Sequence, residues 1–177
     1  MSMNSVQFVA RWSRSIWIVT AAVLVLVTGA EFLLARAALR ASDNVAIEAL
    51  LVVAALLPAG LLIAASLFAP TGYTIRPDAV VVRRRGPALV IVRERICRIE
   101  RLDSRDMGFV WRVFGVGGFL GWFGLFYSRS LGEFRAYATN RRDLILITEA
   151  DGRKTIVSPF PPETFAQLLQ EPPQNSA

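Results

Sequence analysis

The sequence has no histidine and only one cysteine, Cys97, in its 177 residues. The first absence removes histidine-dependent acid–base chemistry, the commonest metal ligand and any Cys–His nucleophile pair. The second removes an internal disulfide. Cys97 lies between Ile96 and Arg98 in a strand-like run and reads as an inert thiol of the core or sheet. Lysine is almost missing too: Lys154 is the only one among 20 basic residues, so arginine carries the formal net charge of +6. Arginine suits bidentate contacts with phosphate or carboxylate, although an arginine- and alanine-rich bias also follows from GC-rich coding. No Gly-x-Ser-x-Gly elbow, P-loop, zinc-ligand spacing or paired-carboxylate signature occurs. Glu94, Glu100, Asp103 and Asp106 interleave with arginines, as strand and loop charges do. The expectation is a protein without enzymatic activity, metal or cofactor.

What the sequence has in excess is apolar length. It is 54% hydrophobic with a mean hydropathy of +0.44, high for a soluble domain. From Ile16 to Leu34 the only charge in 19 residues is Glu31, and from Ala49 to Ala69 there is none in 21. Each run matches the roughly 20 apolar residues that cross a bilayer at about 1.5 Å per residue. The connector from Ala35 to Glu48 is short and carries Arg36, Arg40, Asp43 and Asn44, so the spans form an antiparallel hairpin with both open ends on one side. Arg11 and Arg14 precede the first span, and Arg76 and Arg83 to Arg85 follow the second. They outweigh Arg36 and Arg40, which favours N- and C-termini in the cytoplasm. Ala35-Arg36-Ala37 resembles a signal cleavage site, but the preceding run is too long for a signal core and a second full-length run follows. Glu31 is near the far end of its span, where its carboxylate reaches the interface or pairs with Arg36.

Pro70-Thr71-Gly72 breaks the helical periodicity, and alternation takes over beyond it. Tyr73 to Ile75 and Ala79 to Arg83 flank the turn Arg76-Pro77-Asp78 as a hairpin. A further strand or pair of strands follows from Leu89 through Ile99. Phe134 to Thr139, Leu144 to Thr148 and Lys154 to Ser158 are later strands, the last two joined by Ala150-Asp151-Gly152. Prolines 159, 161 and 162 then precede an amphipathic helix with Phe165, Leu168 and Leu169 on one stripe. The organisation expected is a transmembrane hairpin over residues 1–70 (spans 16–34 and 49–69), a β domain of six or seven strands plus a helix over 71–170, and a polar tail over 171–177.

The pair of spans, strands opening with Gly72-Tyr73-Thr74-Ile75, the glycine and aromatic stretch Gly115 to Phe126, Leu131 to Asn140, and a late Val157-Ser158-Pro159 before Phe165 resemble the bacterial pleckstrin-homology-like domain proteins. The likeness covers about residues 72 to 170. It implies an α+β membrane protein in which the two-helix hairpin is followed by a PH-like bent β-sandwich or barrel with a capping C-terminal helix. It also implies no catalytic residues and a multi-pass place in the bacterial inner membrane.

Residues 71–160 carry 15 arginines and Lys154 against nine acidic residues, so the positive charge is concentrated in this domain. Juxtamembrane cations near an anionic leaflet contribute about 1 kcal/mol each. Arg83, Arg84, Arg85 and Arg112 are therefore candidate headgroup contacts; a solvated strand face obeying the positive-inside rule is the other reading. Nucleic acid is not an expected partner, because the aromatics do not lie on a recognisable reading surface. Membrane lipids are, together with a membrane-protein partner or a second copy. Gly108 to Tyr127 has six glycines and one charge in 20 residues, too glycine-rich for a regular helix. A third crossing would also separate the later strands from their sheet. The reading is a non-spanning apolar loop with Trp111, Phe119, Leu120, Trp122, Phe123 and Tyr127 at the membrane interface, against an alternative in which these side chains fill the core.

Overall fold

The computed structural model of the chain describes residues 5–40 and 45–171. Parts of the connector, Asp43 and Asn44 among them, and the tail beyond Glu171 fall outside the described residues. The chain opens with a strand, β1 (Val6–Ala10), followed by two long helices, α1 (Arg14–Ala38) and α2 (Val45–Phe68). Ten further strands follow: β2 (Pro70–Ile75), β3 (Ala79–Arg84), β4 (Leu89–Val92), β5 (Ile96–Leu102), β6 (Val110–Gly117), β7 (Trp122–Ser128), β8 (Gly132–Ala138), β9 (Leu144–Glu149), β10 (Lys154–Val157) and β11 (Pro159–Phe160). The last element is α3 (Pro162–Gln170).

Both long helices are apolar all round. Trp17, Val25, Leu26, Leu33, Leu56 and Ile63 are among their many exposed side chains, and both helices are long and apolar enough to cross a membrane. Ser13 starts α1 from an extended conformation, its hydroxyl accepting from the Ile16 N–H at 3.4 Å. Pro58 lies inside α2. Arg36 stacks over Phe32, 5.7 Å from the ring centroid, and Glu31 Oε1 is buried without a hydrogen-bond partner. The anticipated Glu31–Arg36 pair is therefore not formed.

The strands make two sheets, in the orders β11-β1-β2-β3-β4 and β5-β9-β10-β8-β7-β6. One consequence corrects the sequence-derived boundary at residue 70. β1 pairs antiparallel with β2, Val6 opposite Ile75 and Phe8 opposite Tyr73, so residues ahead of the helices belong to the β domain. The two helices are an insertion between neighbouring strands. Phe8 and Ala10 point inward while Val9 stays exposed, an alternation present in the sequence but only five residues long. Of the strand or pair of strands expected from Leu89 through Ile99 the pair forms, β4 and β5, separated by a single 3-10 turn (Arg93–Arg95) where the chain passes from the first sheet to the second.

Phe8, Tyr73, Val80, Val82, Ile145, Ile147 and Val157 from the two sheets meet Phe165 and Leu169 of α3 in one core. A second core on the opposite face of the six-stranded sheet joins Met107, Phe126, Phe134, Ala136, Leu144, Leu146 and Ile156. Successive residues of β9 thus serve different cores, because side chains alternate across a strand. Arg93 closes α3 by donating Nη2 hydrogens to the Leu168 and Leu169 carbonyls, at 3.1 and 3.3 Å, and to that of Glu171.

Tyr73 is the polar centre of the first core. Its hydroxyl is 2.7 Å from the Tyr137 carbonyl and accepts from the Ser158 N–H at 3.2 Å. Ser158 Oγ in turn accepts from the Thr139 N–H at 2.8 Å. Burial pushes the Tyr73 phenol up to about 12, with the contacts to Ser158 acting the other way. Replacing Tyr73 with Phe strips the buried Ser158 N–H of its acceptor, so stability should fall by about 1–3 kcal/mol, measurable by urea unfolding in detergent.

Candidate functional site

The chain's unassigned chemistry gathers where the β domain meets its helices. Several backbone and side-chain contacts fasten the two together. The Ser13 N–H donates to the Thr139 carbonyl at 3.0 Å, and the Thr139 hydroxyl donates to the Arg11 carbonyl at 2.8 Å. On the other helix, the Gly86 N–H donates to the Leu67 carbonyl at 2.8 Å, satisfying one of the acceptors that a helix leaves open at its C-terminus.

A third contact is made by the turn between β6 and β7. The Leu120 N–H donates to Thr20 Oγ1 at 3.0 Å, inside α1. Leu120 has a φ of +57°, a conformation that costs a non-glycine residue free energy. Gly118, with φ +116°, sits so close to α1 that an added Cβ would be 3.1 Å from Val19 Cγ1. Ile16 and Thr20 are buried on this face of α1 although most of the helix is exposed.

These contacts place the tip of the β6–β7 hairpin on the first two turns of α1. Gly121 abuts Ala138 and Thr139, and Thr139 meets Ser13, whereas the neighbouring Leu120 meets Thr20. Between Ser13 and Thr20 an α-helix advances about 10 Å.

The stretch read from sequence as a loop is thus an antiparallel hairpin with one register shift, between Arg112 and Phe114. Its glycines act as places of close approach, not as breakers: Gly115 and Gly124 are directly opposite each other, and a Cβ on Gly115 would lie 2.3 Å from the Phe123 carbonyl oxygen. Phe119 and Phe123, expected at an interface, are covered by protein at 9% and 3% exposure. Leu120 and Trp122 are half-buried, while Trp111 and Tyr127, facing each other across the ladder, are exposed. Phe109, Val113 and Phe114 are exposed as well and were missed. Strand alternation from the Gly118–Gly121 turn would have separated Phe123 from its neighbours; the unpaired residue between Arg112 and Phe114 shifts the register on β6 and hides the pattern there.

The basic candidates divide similarly. Arg83 and Arg84 are half-buried and engaged within the molecule: Arg83 Nη1 donates to Gln7 Oε1 at 3.0 Å, and Arg84 lies over the rings of Phe68 and Tyr137, 5.7 and 5.3 Å from their centroids. Both keep a buried Nε without a partner. Arg85 is exposed beside them at the end of α2, where cations complement the helix dipole. Arg112 is exposed on β6, in the other sheet and apart from this cluster. Arg141 covers the Trp122 ring at 4.1 Å. Cys97 is an exposed thiol at the β5 edge, its Sγ 3.3 Å from the Thr148 carbonyl oxygen, and not a core residue. Among the described residues no group of three or more acidic, cysteine or histidine side chains is placed to hold a metal.

The sequence model of the Bacterial PH domain matches residues 71–172. The chain belongs to the bacterial PH domain family. No curated protein and no solved structure matches it. PH domains are generally non-enzymatic binding modules, and a binding role fits a junction that offers arginines and aromatic side chains. The matched region begins in β2, so the paired strand β1 lies outside it. Because Gly115 has a φ of +121° and meets backbone on the facing strand, replacing it with Ala should destabilise the bacterial PH domain by at least about 2 kcal/mol. Thermal unfolding of the variant in detergent checks this.

Proposed function

We propose that the chain is a membrane-anchored, non-enzymatic PH-like module that acts in protein or lipid interaction at the cytoplasmic face of the bacterial inner membrane, with α1 and α2 as its two spans. The observation that carries this reading is the pairing of β1 with β2 across the inserted helices. With one domain holding both outer ends of an apolar hairpin, the domain and the N-terminus share a side. Arg11 and Arg14 at one helix and Arg83 to Arg85 at the other favour the cytoplasm as that side.

In this setting the hairpin seats the domain in the membrane surface. Its tip meets α1 at Thr20, four residues and about 6 Å beyond Ile16, so Leu120 and the half-buried Trp122 lie at interfacial depth. Phe119 and Phe123 support that edge from within. Arg85 is the exposed cation of the Arg83–Arg85 run and meets an anionic headgroup, whereas Arg83 and Arg84 are half-buried. The exposed aromatic residues of β6 lend weight to a second reading, an accessory subunit of a membrane transporter or membrane enzyme.

Membrane sidedness is the test. In a Cys97→Ser background, a cysteine at Ser42 should react with an impermeant maleimide added to intact cells, and one at Asp151 should react only after lysis. The reverse pattern would overturn the proposal.

A further inference from the structure

Among the described residues three arginines are half-buried: Arg83, Arg84 and Arg93. Two of them have acceptors. Arg83 donates to Gln7 Oε1 at 3.0 Å, and Arg93 to the carbonyls that close α3. Arg84 has none. It takes no part in the ion pairs Arg98–Glu100, Arg101–Glu163 and Arg153–Asp151, and its contacts are the rings of Phe68 and Tyr137. Its Nε is sealed off without a partner, whereas its two Nη groups are not. A guanidinium carries five N–H donors, has no acceptor of its own and stays charged at any working pH. Arg84 therefore presents a forked pair of free donors on a side chain that two rings hold in place.

The end of α2 does not supply the missing acceptor. Arg84 donates to none of its carbonyls, and that of Leu67 already accepts from the Gly86 N–H at 2.8 Å. The location points to another source. Arg84 is opposite Pro70 in the β2–β3 ladder, and one of its rings belongs to Phe68, the last residue of α2, which is 48% exposed. The uncharged run from Ala49 ends one residue later, at Ala69. With α2 as a span, this is where hydrocarbon gives way to headgroups.

Resting on the membrane-anchored reading above, we propose that Arg84 seats the phosphate of one anionic phospholipid. The two Nη groups donate to the two free oxygens of the phosphodiester, and the exposed Phe68 ring lies against the start of an acyl chain. Planar, forked donation suits arginine and not lysine. The neighbouring Arg85, exposed to water, adds attraction that salt screens. Phe68 lies outside the matched residues 71–172, so the seat belongs to the junction of helix and domain and not to the domain alone.

Native mass spectrometry of the full chain in nonionic detergent, titrated with dioleoylphosphatidylglycerol, tests this. The wild type should retain one lipid molecule. Arg84→Lys keeps the charge and loses the fork, and should weaken retention at least about fivefold, whereas Arg85→Lys should change it less than about twofold. Phe68→Leu leaves the guanidinium in place and should also weaken retention, so the reading can be checked even where Arg84→Lys lowers the melting temperature. Equal retention by Arg84→Lys and the wild type, or an equal loss from Arg85→Lys, would overturn the proposal. Inorganic phosphate that displaces the lipid and raises the melting temperature as much would overturn the lipid as the source of the phosphate. Labelling at Ser42 and Asp151 reports the anchoring separately, so the two failures are distinguishable.

Discussion

The pairing of β1 with β2 is the constraint on which the rest of the molecule depends. A strand ahead of two apolar helices and a strand directly after them are neighbours in one sheet, with Val6, Gln7, Phe8 and Val9 opposite Ile75, Thr74, Tyr73 and Gly72. A helix pair joined to a domain at one end could swing about its linker. A helix pair whose two ends enter adjacent strands cannot, since any rotation would break the ladder or the Phe8 and Tyr73 packing beneath it. The helical insertion and the β domain therefore behave as one body.

The junction contacts follow from that constraint. Once the helix ends are held beside the sheet, their open backbone groups need partners, and nearby elements supply them: Thr139 for Ser13, Gly86 for Leu67. The β6–β7 turn adds a contact deeper along α1, where the Thr20 hydroxyl holds the Leu120 amide in an otherwise unfavourable conformation. Glycines at 115, 118, 121 and 124 let the hairpin close tightly and approach the helix, each with a neighbour that would crowd a Cβ. A flexible apolar loop would need none of these glycines in these positions.

Much of this was legible from residues alone. Long apolar runs fix α1 and α2, the Asp151-Gly152 turn fixes β9 and β10, and the stripe of Phe165, Leu168 and Leu169 fixes α3, because each pattern spans enough residues to express its period. The failures have physical causes too. β1 is too short to stand out beside a 25-residue helix, and its partner is reached only across the helical insertion. Six glycines suggested irregular chain between 108 and 127, whereas opposed glycines are what a tightly apposed strand pair requires. Arg83 and Arg84 read as free cations, because sequence does not reveal that Gln7, Phe68 and Tyr137 will surround them.

The claim that domain and helices form one body is tested most directly at the Leu120 amide. Hydrogen–deuterium exchange of the full chain in lipid nanodiscs should find that amide protected, and Thr20→Val should speed its exchange while leaving β9 and β10 unchanged. Equally fast exchange at Leu120 in both proteins would mean that the hairpin does not rest on α1, and would contradict the account.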